Sequence, residues 1–315
     1  MDNCQPLTIH CPLSTINCNG GDVLDLLQLK YFKTVAKFEN VTKAANELYI
    51  AQPALSKTIS HLEKELGVNL FDRRGKYIHI NEYGKAFLKK VNIALDALED
   101  GRREIKDLQG KELGDIRLVF LAASTIIPEL LSEFCKLHPH ISFQLFQHFS
   151  RDANNSDFDL CISSSYGDKE NNNNIALLTE EIYLAVPLNH PLAKKKSISL
   201  TEVSNENFIS LKPGKGLREI TDEFCKKSGF IPKIIFESDD PSTVRGLIKA
   251  GQGVAFIPQV SWGSSIGDSM ALLHIKEPKC KRTIFISWLE NRYLSRTTLL
   301  FREFAVQYFK NLSIT

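Results

Sequence analysis

Apolar positions recur at helical spacing over residues 25–110 and in short, turn-bounded runs after residue 115. Leu26, Leu29, Phe32, Val35 and Ala36 make one stripe and predict a first helix over 25–39. Two shorter helices follow around a tight corner. Thr42 is placed to cap the first of them, which Lys43–Leu48 supply, with Ala44 and Ala45 small enough for another helix to cross closely. Tyr49–Ala51 form the corner, and Pro53 opens the next helix, where its missing N–H is harmless. Leu55, Ile59 and Leu62 then turn inward, while Gln52, Ser56, Lys57, Ser60 and His61 make a polar and basic outer face. That composition suits a helix lying in a major groove, reaching base edges and phosphates.

Gly67 ends this helix. Leu70 and Phe71 anchor a short hairpin over 72–80, with Arg73, Arg74 and Lys76 around Gly75 at its tip, cations suited to neighbouring phosphates. The longest helical signal spans 83–108. Phe87, Val91, Ala94, Leu98, Gly101, Ile105 and Leu108 fall at alternating steps of four and three, a seam that needs a partner helix, most simply from a second copy of the chain. Gly101 within it costs about 1 kcal/mol relative to Ala and allows close approach or a bend. Lys111–Gly114 read as a hinge. Beyond Asp115, strands are predicted over 116–122, 141–147, 158–163, 182–187, 208–211, 233–236, 254–258 and 283–289, with helices over 126–137, 216–228, 241–250 and 296–309. Alternation of this kind is an α/β domain.

Charge sharpens the division. The net charge of the 315 residues is only +2, yet residues 25–90 hold twelve Lys and Arg against seven Asp and Glu. A basic head on a near-neutral body is the electrostatic footprint of a nucleic-acid binder with a separate regulatory part. The cysteines, at 4, 11, 18, 135, 161, 225 and 280, show no CxxC pair, which predicts reduced thiols. No apolar run is long enough to cross a bilayer, and the first 24 residues lack the pattern of a signal peptide, so a soluble cytoplasmic protein is expected. Cys4, Cys11 and Cys18 recur every seven residues with only His10 nearby, a spacing that fits a disordered tail better than a metal site. Val23 or Leu24 is an alternative translation start.

The run Leu26–Gly84 resembles the N-terminal winged helix-turn-helix of the LysR-type transcriptional regulators. The words that carry the resemblance are LLQLKYFKTVAKFENVTKAANEL and AQPALSKTISHLEKELGVNLFDRRGKYIHINEYG, with Ala51 where the family often has Ser or Thr. The remainder resembles the family's effector domain through IRLVFLAAS, FDLCIS, EEIYLAVPLNHPLA, PGKGLREITDEFCKKSGF and VRGLIKAGQGVAFIP. Between Gln147 and Phe158 the family's usual helix is replaced by a short polar stretch. The resemblance implies an all-α winged helix-turn-helix over 24–82 (helix-turn-helix 41–60), a dimerisation helix over 83–110 that uses Phe87, Val91, Ala94, Leu98 and Ile105, and a two-lobed α/β domain of the periplasmic-binding-protein kind over 114–315. Residues 1–23 are left as a disordered extension.

The DNA contacts implied are Thr42, Lys43, Gln52, Pro53, Ser56, Lys57, Ser60, His61, Arg73, Arg74 and Lys76. For the effector, Ser124 and Thr125 follow the first strand and open a helix, where free N–H groups favour anions. By family position Ser150, Ser163 and Ser164 line the same cleft. Lys212, Pro213, Gly214 and Gly216 open a helix on the facing lobe, so a small carboxylate is the expected ligand. Partners are therefore promoter DNA, a small effector and a second copy, with RNA polymerase a further candidate; no cofactor or membrane is expected. A solute-binding protein would explain 115–315 but not the basic head. Catalysis lacks support, because no nucleophile elbow, phosphate loop or metal spacing is present.

Overall fold

A computed structural model describes residues 24–74, 77–110, 114–147, 158–165, 173–262, 270–290 and 292–312. Cys4, Cys11, Cys18, Lys76, Ser150 and residues 111–113 of the expected hinge lie outside the described residues, as do the side chains of Arg73 and Arg74. The chain forms two compact units that divide between Asp96 and Ala97.

In the first unit, α1 (Leu26–Phe38) starts at Asp25, whose carboxylate accepts from the Leu27 amide at 3.1 Å. The helix α2 (Val41–Glu47) begins earlier than its sequence suggests, and its cap is Asn40 rather than Thr42. The Asn40 side chain accepts from the Lys43 amide at 2.9 Å, which leaves Thr42 exposed in the first turn. An Asn just ahead of the helix reaches over the first turn to that amide and satisfies an otherwise orphan donor. Next, α3 (Gln52–Leu66) has Pro53 in its first turn and Gly67 as its left-handed cap. The strands β1 (Phe71–Arg74) and β2 (Tyr77–Ile80) pair antiparallel as the expected hairpin.

The long helix α4 (Glu82–Leu108) enters this unit first. Val91 is buried in the core with Phe32, Leu55 and Leu62, and Phe87 stacks near Phe32 with ring centroids 5.3 Å apart. These two positions of the expected seam are therefore committed to their own unit. Helical periodicity alone cannot separate an intramolecular face from an intermolecular one. The exposed apolar positions lie further on, at Ile93, Leu98, Ile105 and Leu108.

The second unit holds an eight-stranded mixed sheet. Its strands are β3 (Gly114–Phe120), β4 (Ile141–Phe146), β5 (Leu160–Ser165), β6 (Asn174–Val186), β7 (Ser197–Ser199), β10 (Ala255–Pro258), β11 (Ala271–Glu277) and β12 (Lys281–Ser287), in the order β4-β3-β5-β12-β6-β11-β7, with β10 also on β6. A separate parallel pair is made by β8 (Asn207–Leu211) and β9 (Lys233–Ser238). The helices α5 (Ile127–Leu137) and α8 (Arg296–Leu312) cover one apolar core with β3, β5 and the start of β6. The helices α6 (Gly216–Lys227) and α7 (Pro241–Lys249) cover another with the end of β6, β8, β10 and β11. Two cores joined through β6 and the start of β12 make the expected two lobes.

Three differences from the sequence reading have physical causes. The strand read as 182–187 is thirteen residues long, because Glu180 is buried against Arg282 and so belongs to the sheet despite its charge. The strand β11 has no counterpart among the expected strands because its alternation is weak, with only Leu273 and Ile275 fully inside. The three-residue β7 is too short to show a period.

Candidate functional site

The first candidate surface is the outer face of α3. Leu55, Ile59 and Leu62 are buried, which fixes the rotation of the helix and forces the remaining positions outward. Gln52, Pro53, Lys57, Ser60 and His61 are exposed and Ser56 half-buried, with Thr42 and Lys43 exposed on α2. His61 Nδ1 lies 3.3 Å from the Gln28 side chain, so it is tethered to α1 as well as available at the surface.

Two glutamates outside the sequence reading hold the hairpin beside this face. Glu63 Oε1 accepts from the Leu70 and Phe71 amides at 2.8 and 3.3 Å. Glu39 accepts from the Ile80 amide at 2.9 Å and lies 3.0 Å from His79 Nδ1. The Ile80 N–H, and after it His79, hold the Glu39 carboxyl below the usual range against partial burial. Neither residue stands out in the sequence, since both sit in helical segments where glutamate is ordinary.

The second candidate is the junction between the two lobes of the second unit. Five groups form one chain of contacts across it. The Thr125 hydroxyl donates to the Ser261 carbonyl at 2.6 Å, and the Ser261 hydroxyl donates to Glu180 at 2.6 Å. Arg282 donates through Nε to Glu180 at 2.8 Å, through Nη2 to the Ser261 hydroxyl at 2.6 Å, and through Nη1 to the Ser164 hydroxyl at 3.3 Å. Glu180 also accepts from the Val260 and Ser261 amides at 2.9 and 2.8 Å. Burial pulls the Arg282 pKa below its ordinary value, and the charge of Glu180 opposes that pull.

Ser164 in turn abuts the start of α6. A Cβ at Gly216 would stand 2.9 Å from the Ser164 carbonyl and 3.1 Å from its hydroxyl, so only glycine permits this approach. Lys215, the residue ahead of α6, gives the helix no side-chain cap. Its first amides, near a serine hydroxyl, are thus suited to an anion. Ser163 and Ser124 are half-buried, and Lys212 is exposed with its Nζ 3.5 Å from Asp239. Pro213 and Gly214 form the turn into α6, with Gly214 at φ +88°. Of the cleft residues expected from sequence, the structure brings Thr125, Ser164 and Gly216 into one network. It adds Glu180, Ser261 and Arg282. The adjacent acids Glu180 and Glu181 inside an apolar run are the signal that would have found the first.

The last turns of α4 are bound to this unit by a polar stripe at three- and four-residue spacing. Asp100 takes Arg292 in a forked pair at 2.9–3.1 Å, Arg103 pairs with Asp159, and Asp107 accepts from the Tyr293 hydroxyl at 3.0 Å and the Arg296 amide at 2.7 Å. Burial works to raise the Asp159 carboxyl, but the Arg117 amide and the guanidiniums of Arg103 and Arg117 outweigh it and hold it below the usual range. Asp159 stands at the foot of β5, the strand that carries Ser163 and Ser164. Among the described residues no group of three His, Cys, Asp or Glu is placed to hold a metal, and no helix is long and apolar enough to cross a membrane.

Two family models match the chain, one in each part. The family "Bacterial regulatory helix-turn-helix protein, lysR family" matches residues 26–85, and "LysR substrate binding domain" matches residues 109–310. The transcriptional regulator YybE of Bacillus subtilis is 37% identical over 90% of this chain and 98% of its own length. The dual regulator GltC of the same organism is 34% identical over 92% of this chain and 99% of its own. Among solved structures, the effector-binding domain of QuiR in complex with shikimate is 32% identical, covers 63% of this chain and 98% of that one, and superposes with a TM-score of 0.54.

Proposed function

Because the chain belongs to the LysR family of bacterial helix-turn-helix regulators, we propose that it reads operator DNA in the cytoplasm with the outer face of α3, supported by Thr42, Lys43 and the hairpin cations Arg73, Arg74 and Lys76. The observation that carries this is the rotation of α3: its apolar side is wholly buried, and its outward side offers hydrogen-bonding groups and a cation. The solute-binding alternative leaves that face without a purpose. Replacing Lys57 by Ala should weaken binding to a selected operator duplex by about tenfold and reduce the salt slope of the binding constant by about one. Equal affinity and an equal slope, measured by fluorescence anisotropy across a salt series, would remove α3 from the interface.

The cleft is the sensor. Amides at the start of α6, the Ser164 hydroxyl and the nearby Ser124 and Thr125 favour a small carboxylate, and the shikimate found with QuiR is the first probe to use. Binding shifts β5, and Asp159 at its foot passes that shift through Arg103 to α4. A ligand achieves this only by the difference in its affinity for the two arrangements, typically about 1–3 kcal/mol. Changing Ser124 to Phe should abolish shikimate binding in calorimetry while leaving operator affinity intact. Undiminished binding by that variant would place the pocket elsewhere.

A further inference from the structure

The corner between α2 and α3 closes with two backbone bonds. The Tyr49 amide donates to the Asn46 carbonyl at 3.2 Å, and the Ile50 amide donates to the Ala45 carbonyl at 3.0 Å. This is the reciprocal pair that ends a helix through one left-handed residue, and that residue is usually glycine because a Cβ resists the conformation. Here it is Tyr49, at φ +55°.

The first unit treats its other left-handed positions differently. Gly67 closes α3 with the residue the conformation favours. Glu39, at φ +43°, is the other exception, but its carboxylate fastens the hairpin through Ile80 and His79. Tyr49 has no such internal task. Its neighbours Leu48 and Ile50 turn into the core, whereas its own side chain is 96% exposed and makes no hydrogen bond or ring contact among the described residues. A strained conformation combined with full exposure makes sense when the side chain is used by something outside the chain.

Tyr49 stands three residues before Gln52, so its Cα is within about 11 Å of the first residue of the recognition helix. We infer that Tyr49 is a DNA-backbone contact, its hydroxyl donating to a phosphate oxygen and its ring lying against the adjoining sugar. The inference rests on the reading of α3 given above. A phosphate contact positions the protein without reading sequence, and a neutral donor displaces no counterion.

The test uses the full chain and two duplexes, one enriched by the wild-type protein from a random pool and one scrambled. Tyr49→Phe should weaken binding to both by a similar factor, about tenfold for one hydrogen bond to a charged oxygen, with the salt slope unchanged. Tyr49→Gly should weaken both at least as much and yet raise the melting temperature, because the strain at the corner is relieved. Unchanged affinity of either variant overturns the inference, and so does a loss confined to the enriched duplex, which would be base reading. Lys57→Ala, run alongside, separates the failures. If it weakens binding and the Tyr49 variants do not, only the role of Tyr49 falls; if none of the three does, the α3 face falls with it.

Discussion

Replacing Glu180 by Ala should lower the melting temperature of the second unit by about 10 °C, the largest stability effect of any single change considered. The Glu180 and Arg282 side chains are 0% and 2% exposed, at the point where β6 leaves one core and enters the other. Without the carboxylate, the guanidinium keeps only the Ser261 and Ser164 hydroxyls, and the Val260 and Ser261 amides lose their acceptor. An uncompensated buried charge costs about 3–5 kcal/mol. The paired change Glu180→Leu with Arg282→Met should recover most of the loss, because it removes both charges instead of stranding one. Thermal melts of the two variants decide the matter. A single variant that melts within a degree or two of wild type, or no lower than the double variant, would mean that the pair is not a buried charge in solution.

That pair also marks where the sequence stops being legible. The helices of the first unit, Pro53 in the opening turn of α3, the Gly67 stop and the hairpin all follow from local rules, since their signals are periodicity and caps a few residues apart. The cap of α2 lies two residues before the expected one because Asn40 and Thr42 are both good caps and only the structure shows which amide is reached. Glu180 and Arg282, or Arg103 and Asp159, lie 102 and 56 residues apart, and nothing local announces that opposite charges will meet. Thr125 and Gly216 are expected from their places ahead of helices and Ser164 only from the family resemblance, and the structure brings these three into one network. The charged floor of that network was not legible, for the same reason of distance.

Changing Leu98 to Asp should convert the protein to a monomer and weaken operator binding by about a hundredfold or more. Leu98 and Ile105 are 54% and 58% exposed, and Leu108 is 82% exposed, on a helix whose other side is already taken. At 3.6 residues per turn, Leu98 and Ile105 lie about half a turn around from Asp100 and Asp107, which fasten α4 to the second unit through Arg292, Tyr293 and Arg296. The apolar side is therefore held outward by the polar stripe opposite it. Large apolar side chains on such a face are stable when a second copy covers them, and a carboxylate buried there loses its hydration. Leu98 makes no part of the buried cores of one chain, so the monomer should keep its helical circular dichroism. Losing the partner separates two DNA-reading heads, and the second contact no longer benefits from the effective concentration that linkage supplies, a factor of about 10²–10⁴. Ile105→Asp should repeat the result from the next heptad. Sedimentation velocity with operator titration is the check: a wild-type monomer, or a Leu98→Asp dimer with undiminished affinity, would show that the copies meet through a different surface.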